Sequence, residues 1–186
     1  MDDPRFLTED ELEAGLSIIN LSPKNSGSVD LIVRRPQEDK REVVTEALLD
    51  IQEGLIGDSW ITRKSFSTAD GSPNPEMQIT LMNSRVISLL AQLKERWALA
   101  GDQLFVDFDL SVTNIPSGSL LKIGSAVIEV TEKQHTACSK FAKRFGQQAY
   151  LFVNSPSRKE LRLRGINGRV IQSGKIKTGD IIYKLK

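Results

Sequence analysis

The chain has 186 residues with a formal net charge of +1; 39% are hydrophobic, 26% are charged, and there is one cysteine and one histidine. Such a composition is typical of a globular protein with one core; it excludes an internal disulfide, and the apolar runs are too short to cross a membrane. Because the N-terminal stretch is acidic and unlike a signal peptide, we expect a cytoplasmic protein folded as a single domain over residues 1–186.

The first predicted element is a short helix over residues 9–19. Thr8 and Glu11 have the spacing of a capping box, and apolar residues recur at helical spacing behind them. The helix precedes all the strand-like segments, so we interpret residues 1–20 as an N-terminal helical appendage.

Strands follow, and each is indicated by apolar residues that are bounded by turn residues. In chain order they cover 28–36, 40–49, 77–82, 102–111, 120–132 and several short segments between 162 and 186. A helix over 84–97, capped by Asn83, separates two of them. Short strands at regular spacing favour an antiparallel barrel, so we predict an α+β fold, mostly β, with a β-barrel and a few short helices.

A loop rich in Ser, Gly and Pro covers residues 62–76, with the sequence TRKSFSTADGSPNPE. Fifteen residues without a helix or strand are uncommon inside a compact domain. The loop is therefore predicted to be either functional or mobile.

Charge is distributed unevenly along the chain. From Lys133 to Lys186 there are 13 Lys and Arg against 2 acidic residues, and the preceding part is acidic overall. Much of this charge is expected to pair across the fold, and the remainder predicts a site for an anion. Nucleic acid is a less favoured partner, because the basic segment lacks the interleaved aromatic residues on which bases stack.

The only cysteine lies in QHTACSKFAKRFG, residues 134–146. Helical spacing of apolar residues predicts a helix over 137–145, which places Cys138 in its first turn with Lys140 nearby. A helix N-terminus and a cation both favour a thiolate, which can act as a nucleophile, a sulfur carrier or a soft metal ligand. Because Cys138 also begins the apolar stripe, a thiol packed in the core is an equal alternative.

Two further segments suit an anionic ligand. Arg164 and Asn167 flank RGING, where Gly165 would allow the backbone to approach a ligand closely, although a tight barrel corner explains the segment equally well. Asn83 and Arg85 open a helix after a strand, although a simple cap with a surface arginine is slightly favoured. We expect Cys138, Arg164, Asn167 and Arg85 to line one concave site.

Four stretches, in this order, resemble the MOSC domain family, which takes its name from the C-terminal domain of molybdenum cofactor sulfurases, pyridoxal-phosphate-linked enzymes. The stretches are EGLIGDSW, TNIPSGSLLKIGSAVIEVTE, HTACSKFAKRFG and LRGINGRVIQSGKIKTGDII. The resemblance covers the chain from Ile18 to its end. It implies a β-barrel similar to that of pyruvate kinase and an association with the molybdenum cofactor, a molybdopterin that carries a phosphate.

The resemblance also implies roles for residues. Cys138 matches the single cysteine that ligates molybdenum in the amidoxime-reducing relatives, or that carries sulfur in the sulfurase context. Combined with the charge pattern, it gives a set of residues that would bind the cofactor and its phosphate: His135, Lys140, Asn83, Arg85, Asn114, Arg164 and Asn167.

The implied activity is reduction of N-hydroxylated compounds, or sulfur transfer, with a separate protein as electron or sulfur donor. A cofactor carrier without catalysis is the alternative, and a nucleic-acid-binding barrel is the least favoured one.

The chain departs from the family pattern at three points. Ser59 and Trp60 stand where many members have Arg-His, which removes one cationic contact. Ala137 stands where many have a proline before the cysteine, and the usual Asn-containing segment is reduced to residues 113–115.

Overall fold

The computed structural model describes residues 5–65 and 67–185. Residues 1–4, Phe66 and Lys186, which belong to the predicted appendage, loop and last strand, lie outside the described residues. The helices are α1 (Glu9–Ile19), α2 (Ser84–Ala91), α3 (Ser139–Phe145) and α4 (Gln147–Asn154). The strands are β1 (Ser26–Arg34), β2 (Glu42–Val44), β3 (Glu46–Asp50), β4 (Gly54–Leu55), β5 (Ile79–Asn83), β6 (Leu104–Asp107), β7 (Leu120–Ile123), β8 (Ala126–Val130), β9 (Ile166–Gln172), β10 (Gly174–Lys177) and β11 (Ile181–Lys184).

Seven strands close into a barrel. They follow the order β11-β7-β8-β9-β5-β6-β1, and pairing of β1 with β11 completes the circle. β2 extends the sheet beyond β1, and β10, β3 and β4 form a separate small sheet. The predicted α+β fold, mostly β and built on a barrel, is confirmed.

One pair departs from the predicted antiparallel arrangement, because β5 and β6 run parallel. Parallel neighbours need a crossover connection. Here α2 and a 3₁₀ segment, Lys94–Ala100, fill that connection and cover the outside of the barrel.

The helix boundaries differ from expectation where the backbone turns. α1 has the predicted bounds and its capping box is present. The predicted helix over 84–97 is wrong beyond Ala91, because Gln92 has a φ of 61° and ends α2. α3 begins at Ser139, two residues later than expected, and Gly146, with a φ of 94°, ends it. The sequence analysis missed α4, which starts directly after that glycine.

Two hydrophobic clusters stabilise the fold. One fills the barrel with side chains from its strands, and the other lies between the barrel wall and the helices. The predicted strand over 40–49 divides at Thr45, so that β2 stays with the barrel while β3 joins the small sheet. In the described part of the chain, no helix combines the length and the hydrophobicity that a membrane span requires.

Candidate functional site

A cavity of about 350 Å³ opens where the segment after β8, the end of α4 and the start of β9 meet. Glu132 is the one acidic residue in its described lining. The cationic residues of the lining are Lys133, Arg158, Lys159, Arg162 and Arg164. We call this space the basic cavity. It gathers cations from the basic C-terminal segment, as the charge pattern predicts.

A buried charged cluster forms one wall of the basic cavity. Asp102, completely buried just before β6, accepts a hydrogen bond of 2.6 Å from Arg164 on one carboxylate oxygen. Its other oxygen contacts His135 Nε2 at 2.7 Å. Arg164 also donates to the carbonyl of Ala100 and stacks over the ring of Phe141. The carboxylate therefore fixes both an arginine and the single histidine of the chain.

The protonation states of this cluster follow from its surroundings. Burial alone would raise the pKa of Asp102, but the positive charge of Arg164 and the contact with His135 outweigh it and bring that pKa to about 2. Burial and the charge of Arg164 lower the pKa of His135, against the opposing effect of Asp102. The imidazole is thus neutral at pH 7. Because an ionised carboxylate only accepts, Nε2 carries the proton and Nδ1 is left as an acceptor.

Two buried polar atoms beside the cavity lack hydrogen-bond partners among the described residues. They are Arg164 Nε, a donor, and Asn167 Oδ1, an acceptor. The amide nitrogen of Asn167 is used, since it donates to the carbonyl of Lys133 at 2.9 Å. Buried groups of this kind are nearly always satisfied in proteins, by water where no protein group is near. Both residues line the basic cavity, so the two unsatisfied atoms lie beside it.

Cys138 is exposed and lies at the N-cap of α3. The residue before it, Ala137, is held by Asn154, whose side chain accepts from the Ala137 N–H at 2.9 Å and donates to its carbonyl at 3.2 Å. Asn154 belongs to the lining of the basic cavity, whereas Cys138 itself does not. The thiol is therefore exposed and not packed in the core, where Ala137 and Phe141 occupy the buried positions. The expectation that Cys138 lines one concave site with Arg164 and Asn167 is wrong for the described lining.

Comparison with known proteins identifies the family. Residues 74–183 match the family model of the MOSC domain. The chain belongs to the MOSC domain family. No curated protein matches its sequence.

Solved structures of low sequence identity share this MOSC fold. The YUAD protein from Bacillus subtilis superposes with a TM-score of 0.63 at 17% identity, covering 87% of this chain and 97% of that one. YiiM from Escherichia coli superposes with a TM-score of 0.53 at 17% identity, covering 86% of this chain and 70% of that one. A protein described as hypothetical superposes with a TM-score of 0.57 at 19% identity, covering 88% of this chain and 69% of that one.

Of the residues that the sequence analysis selected, His135, Arg164 and Asn167 meet in the basic cavity of the MOSC domain. Lys140 does not, because its ammonium pairs with Glu38 and Asp39 in the turn between β1 and β2. Its charge is therefore directed at carboxylates.

Asn83 and Arg85 lie elsewhere. The side chain of Asn83 caps α2 and donates to Ser22 and to the carbonyl of Phe108. Arg85 forms two hydrogen bonds, of 2.7 and 3.0 Å, with Asp107 in a separate hollow. The expectation that Arg85 shares one concave site with Arg164 and Asn167 is wrong, because the β6 carboxylate holds its guanidinium away.

Asn114 also has structural partners. Its amide donates to the carbonyl of Asp109, and its side-chain oxygen accepts from the ammonium of Lys184. The expected close approach at Gly165 exists, but to protein: a Cβ there would lie 2.0 Å from the carbonyl oxygen of Leu81. Gly165, with a φ of 108°, is thus required by the barrel corner that the sequence analysis held as its alternative.

Sequence analysis missed several residues of the site. Asp102 gives a weak signal, as an acidic residue after Gly101, and the alternating pattern places it in the predicted strand over 102–111. Arg158, Lys159 and Arg162 fall in RKELRLRG, where the density of cations was noted only for the whole segment. Asn154 had no signal, because its helix was not predicted.

Proposed function

We propose that this MOSC protein binds the molybdenum cofactor, with the cofactor phosphate in the basic cavity and Cys138 at its side. The observation that carries the proposal is the surplus of cations around one cavity. Two of the five are already paired in the described residues: Arg164 with Asp102, and Arg158 with Glu13. The remaining three face a lining with a single carboxylate. Such a surplus attracts an anion.

The donor set of the cavity fits a phosphorylated pterin. Lys and Arg side chains are the usual partners of phosphate oxygens. Lys133 and Lys159 form no ion pair among the described residues, and Arg162 is positioned by a hydrogen bond of 2.7 Å to the carbonyl of Ile115. A pterin ring presents both donors and acceptors, which match Asn167 Oδ1 and Arg164 Nε. A volume of about 350 Å³ falls within the range of small-molecule sites. The soft thiolate of Cys138 is a suitable ligand for molybdenum.

The activity that we propose is reduction of N-hydroxylated compounds. When bound, the cofactor supplies two-electron chemistry at molybdenum, with electrons from a separate donor protein. The chain contributes position and proton handling. Asp102 orients the ring of His135, and Nδ1 of that ring can accept a proton. The carboxylate of Asp102 then stabilises the positive charge of the imidazolium that forms. Asn154 fixes the backbone that carries the thiol.

Sulfur transfer is the second candidate, and the exposure of Cys138 favours it. The thiolate would attack the outer sulfur of a persulfide on a donor protein. Cys138 would become the persulfide and the donor would leave as a thiolate, so that one sulfur atom moves without an external oxidant. Cofactor binding and sulfur transfer differ in what the purified protein should carry.

The test is metal and pterin analysis of protein made in a host that synthesises the cofactor. We expect wild type to contain molybdenum and pterin together, and Arg162→Gln or Lys159→Gln to contain less of both. Lys177→Gln removes one exposed charge at the end of β10, outside the cavity lining, and serves as the matched control. Cys138→Ser is expected to keep pterin and to alter the electron paramagnetic resonance spectrum of molybdenum.

Three outcomes separate the candidates. Wild type with neither molybdenum nor pterin overturns cofactor binding. Wild type without both, but with a mass gain of one sulfur atom that Cys138→Ser lacks, supports sulfur transfer. Equal loading of Lys177→Gln and Arg162→Gln overturns the assignment of the cavity even if the cofactor binds.

A further inference from the structure

A second cavity, of about 240 Å³, also has His135 in its lining. It is bounded by the segment after β1, the 3₁₀ turn Ser59–Thr62 and the ends of the loop over 62–76. We call it the loop cavity; the residues that matter to its chemistry are Arg35, Trp60, Arg63, Lys64, Met77 and His135. Among the described residues, His135 is the only one that lines both cavities.

The described lining of the loop cavity contains three cations and no carboxylate. Two carboxylates outside the lining contact its residues, and both are engaged. Asp58 accepts three hydrogen bonds from Arg35 and a fourth from the backbone N–H of Trp60, and Asp102 is held by Arg164 and His135. Arg63 donates to a neutral group, the hydroxyl of Ser59, at 3.0 Å. The charge of Arg63 and Lys64 is therefore not matched by a carboxylate within this cavity.

The surroundings of Arg63 indicate the same imbalance. Its side chain reaches the surface, but partial removal from water and then the charges of Arg35 and Arg41 lower the pKa of its guanidinium, against the opposing charges of Asp58 and Glu38. A bound anion would relieve this repulsion.

Apolar side chains form the rest of the cavity. Trp60 is buried, with its indole N–H donated to the carbonyl of Asn74, so its ring is an apolar surface with no free polar atom. Met77 and Pro73 also line the cavity. Thioether and indole groups favour contact with an aromatic ring.

We propose that the loop cavity binds a small aromatic carboxylate, with the carboxylate on Arg63 and Lys64 and the ring against Trp60 and Met77. As a binding site it stands without the cofactor. As the site for a substrate of the proposed reductase it rests on the proposed function, since His135 would then contact both ligands.

The single histidine makes the test direct, because the imidazole resonances of the protein come from one residue. Cofactor-free protein is titrated with sodium benzoate, and separately with inorganic phosphate, while the His135 resonances are followed by NMR. Both anions are expected to shift them saturably, because His135 lines both cavities. Benzyl alcohol, which has the same ring without the charge, is expected not to saturate.

Matched variants assign each anion to its cavity. Arg63→Gln is expected to weaken benzoate about tenfold, the scale of one charge-assisted hydrogen bond, and to leave phosphate unchanged. Lys159→Gln is expected to weaken phosphate and to leave the affinity for benzoate unchanged. Lys64→Gln, an exposed position, gives a second test if Arg63→Gln fails to fold, and Arg63→Lys should restore part of the benzoate affinity.

Three results would overturn the inference. One is folded wild type in which benzoate gives no saturable shift. Another is benzoate binding that Lys159→Gln weakens and Arg63→Gln does not, which would place the ion in the basic cavity. The third is equal binding of benzyl alcohol. None of these results depends on molybdenum. The inference can therefore fail while the proposed function stands, and the proposed function can fail while the inference stands.

Discussion

Two buried ion pairs of this protein contain the same two residue types and are used differently. In the pair of Arg35 with Asp58, the guanidinium contacts both carboxylate oxygens, at 2.8 and 2.9 Å, and backbone N–H groups take the remaining positions. In the pair of Arg164 with Asp102, the arginine contacts one oxygen and His135 the other.

The difference shows that an arginine–aspartate ion pair can stabilise the fold in one place and leave a group free for proton transfer in another. The pair at Asp58 is closed: its carboxylate is saturated, so it fixes the segment after β1 to the turn that carries Trp60. The pair at Asp102 is open, because the second oxygen holds an imidazole whose Nδ1 has no hydrogen bond among the described residues. An open pair can exchange protons with a ligand.

The largest expected effect is on stability, when either carboxylate is removed. Asp102→Ala leaves Arg164 buried and unpaired, which should cost about 3–5 kcal/mol in the free energy of unfolding. Asp58→Ala should lower the free energy of unfolding by a similar amount, and urea denaturation measures the change for both variants. Only Asp102→Ala should also move the His135 NMR resonances strongly. If both variants move them alike, the distinction between open and closed pairs is wrong.

The second-largest effect is expected from acid, which should lower the free energy of unfolding by protonating Asp102. The pKa of Asp102 is about 2 in the folded protein and lower than in the unfolded chain, so the unfolded state binds the proton first. Stability should therefore decline from about pH 4 to pH 2, by about 2 kcal/mol from this group. Asp102→Asn, which does not titrate, should show a smaller decline in that window. Equal slopes of the two denaturation series would contradict the assignment.

A smaller pH effect is expected from His135. Its pKa is lowered in the folded state, so the unfolded chain takes up the proton first as the pH falls below about 6.5. The stability of wild type should decrease from that pH downward, whereas His135→Gln should stay flat until the carboxylates titrate. Glutamine can still donate to Asp102, which keeps the pair itself intact. A rise in wild-type stability on acidification would show that the histidine is charged when folded.

The smallest effect is expected for an exposed ion pair. Lys140 contacts Glu38 and Asp39 at the surface, where water and salt screen the charges. Lys140→Gln should leave the midpoint of thermal unfolding and the affinity for inorganic phosphate unchanged within error. Loss of phosphate affinity would return Lys140 to the set of residues that bind the anion.

What the sequence could predict depended on distance along the chain. The bounds of α1 follow from a capping box three residues apart, and the barrel follows from strand spacing and the four family-like stretches. The end of α2 could not be predicted, because the positive φ of Gln92 is not expected of a residue type that prefers helices.

The site shows the same limit. The cations and the cysteine were visible as composition and local pattern. Their partners were not: Asp102 lies 33 residues from His135 and 62 from Arg164. Likewise, the carboxylate that removes Arg85 from the expected site lies 22 residues away on β6. Only folding brings such groups together.

The stretch that precedes β6 joins the two cavities mechanically. Arg164, in the basic cavity, holds the carbonyl of Ala100, and Arg35, in the loop cavity, holds the carbonyl of Gly101 at 2.8 Å. The next residue is Asp102, which carries the imidazole. A ligand that draws either guanidinium toward itself pulls on the same peptide units. By thermodynamic reciprocity, whatever factor occupancy of one cavity imposes on the affinity of the other is imposed equally in return.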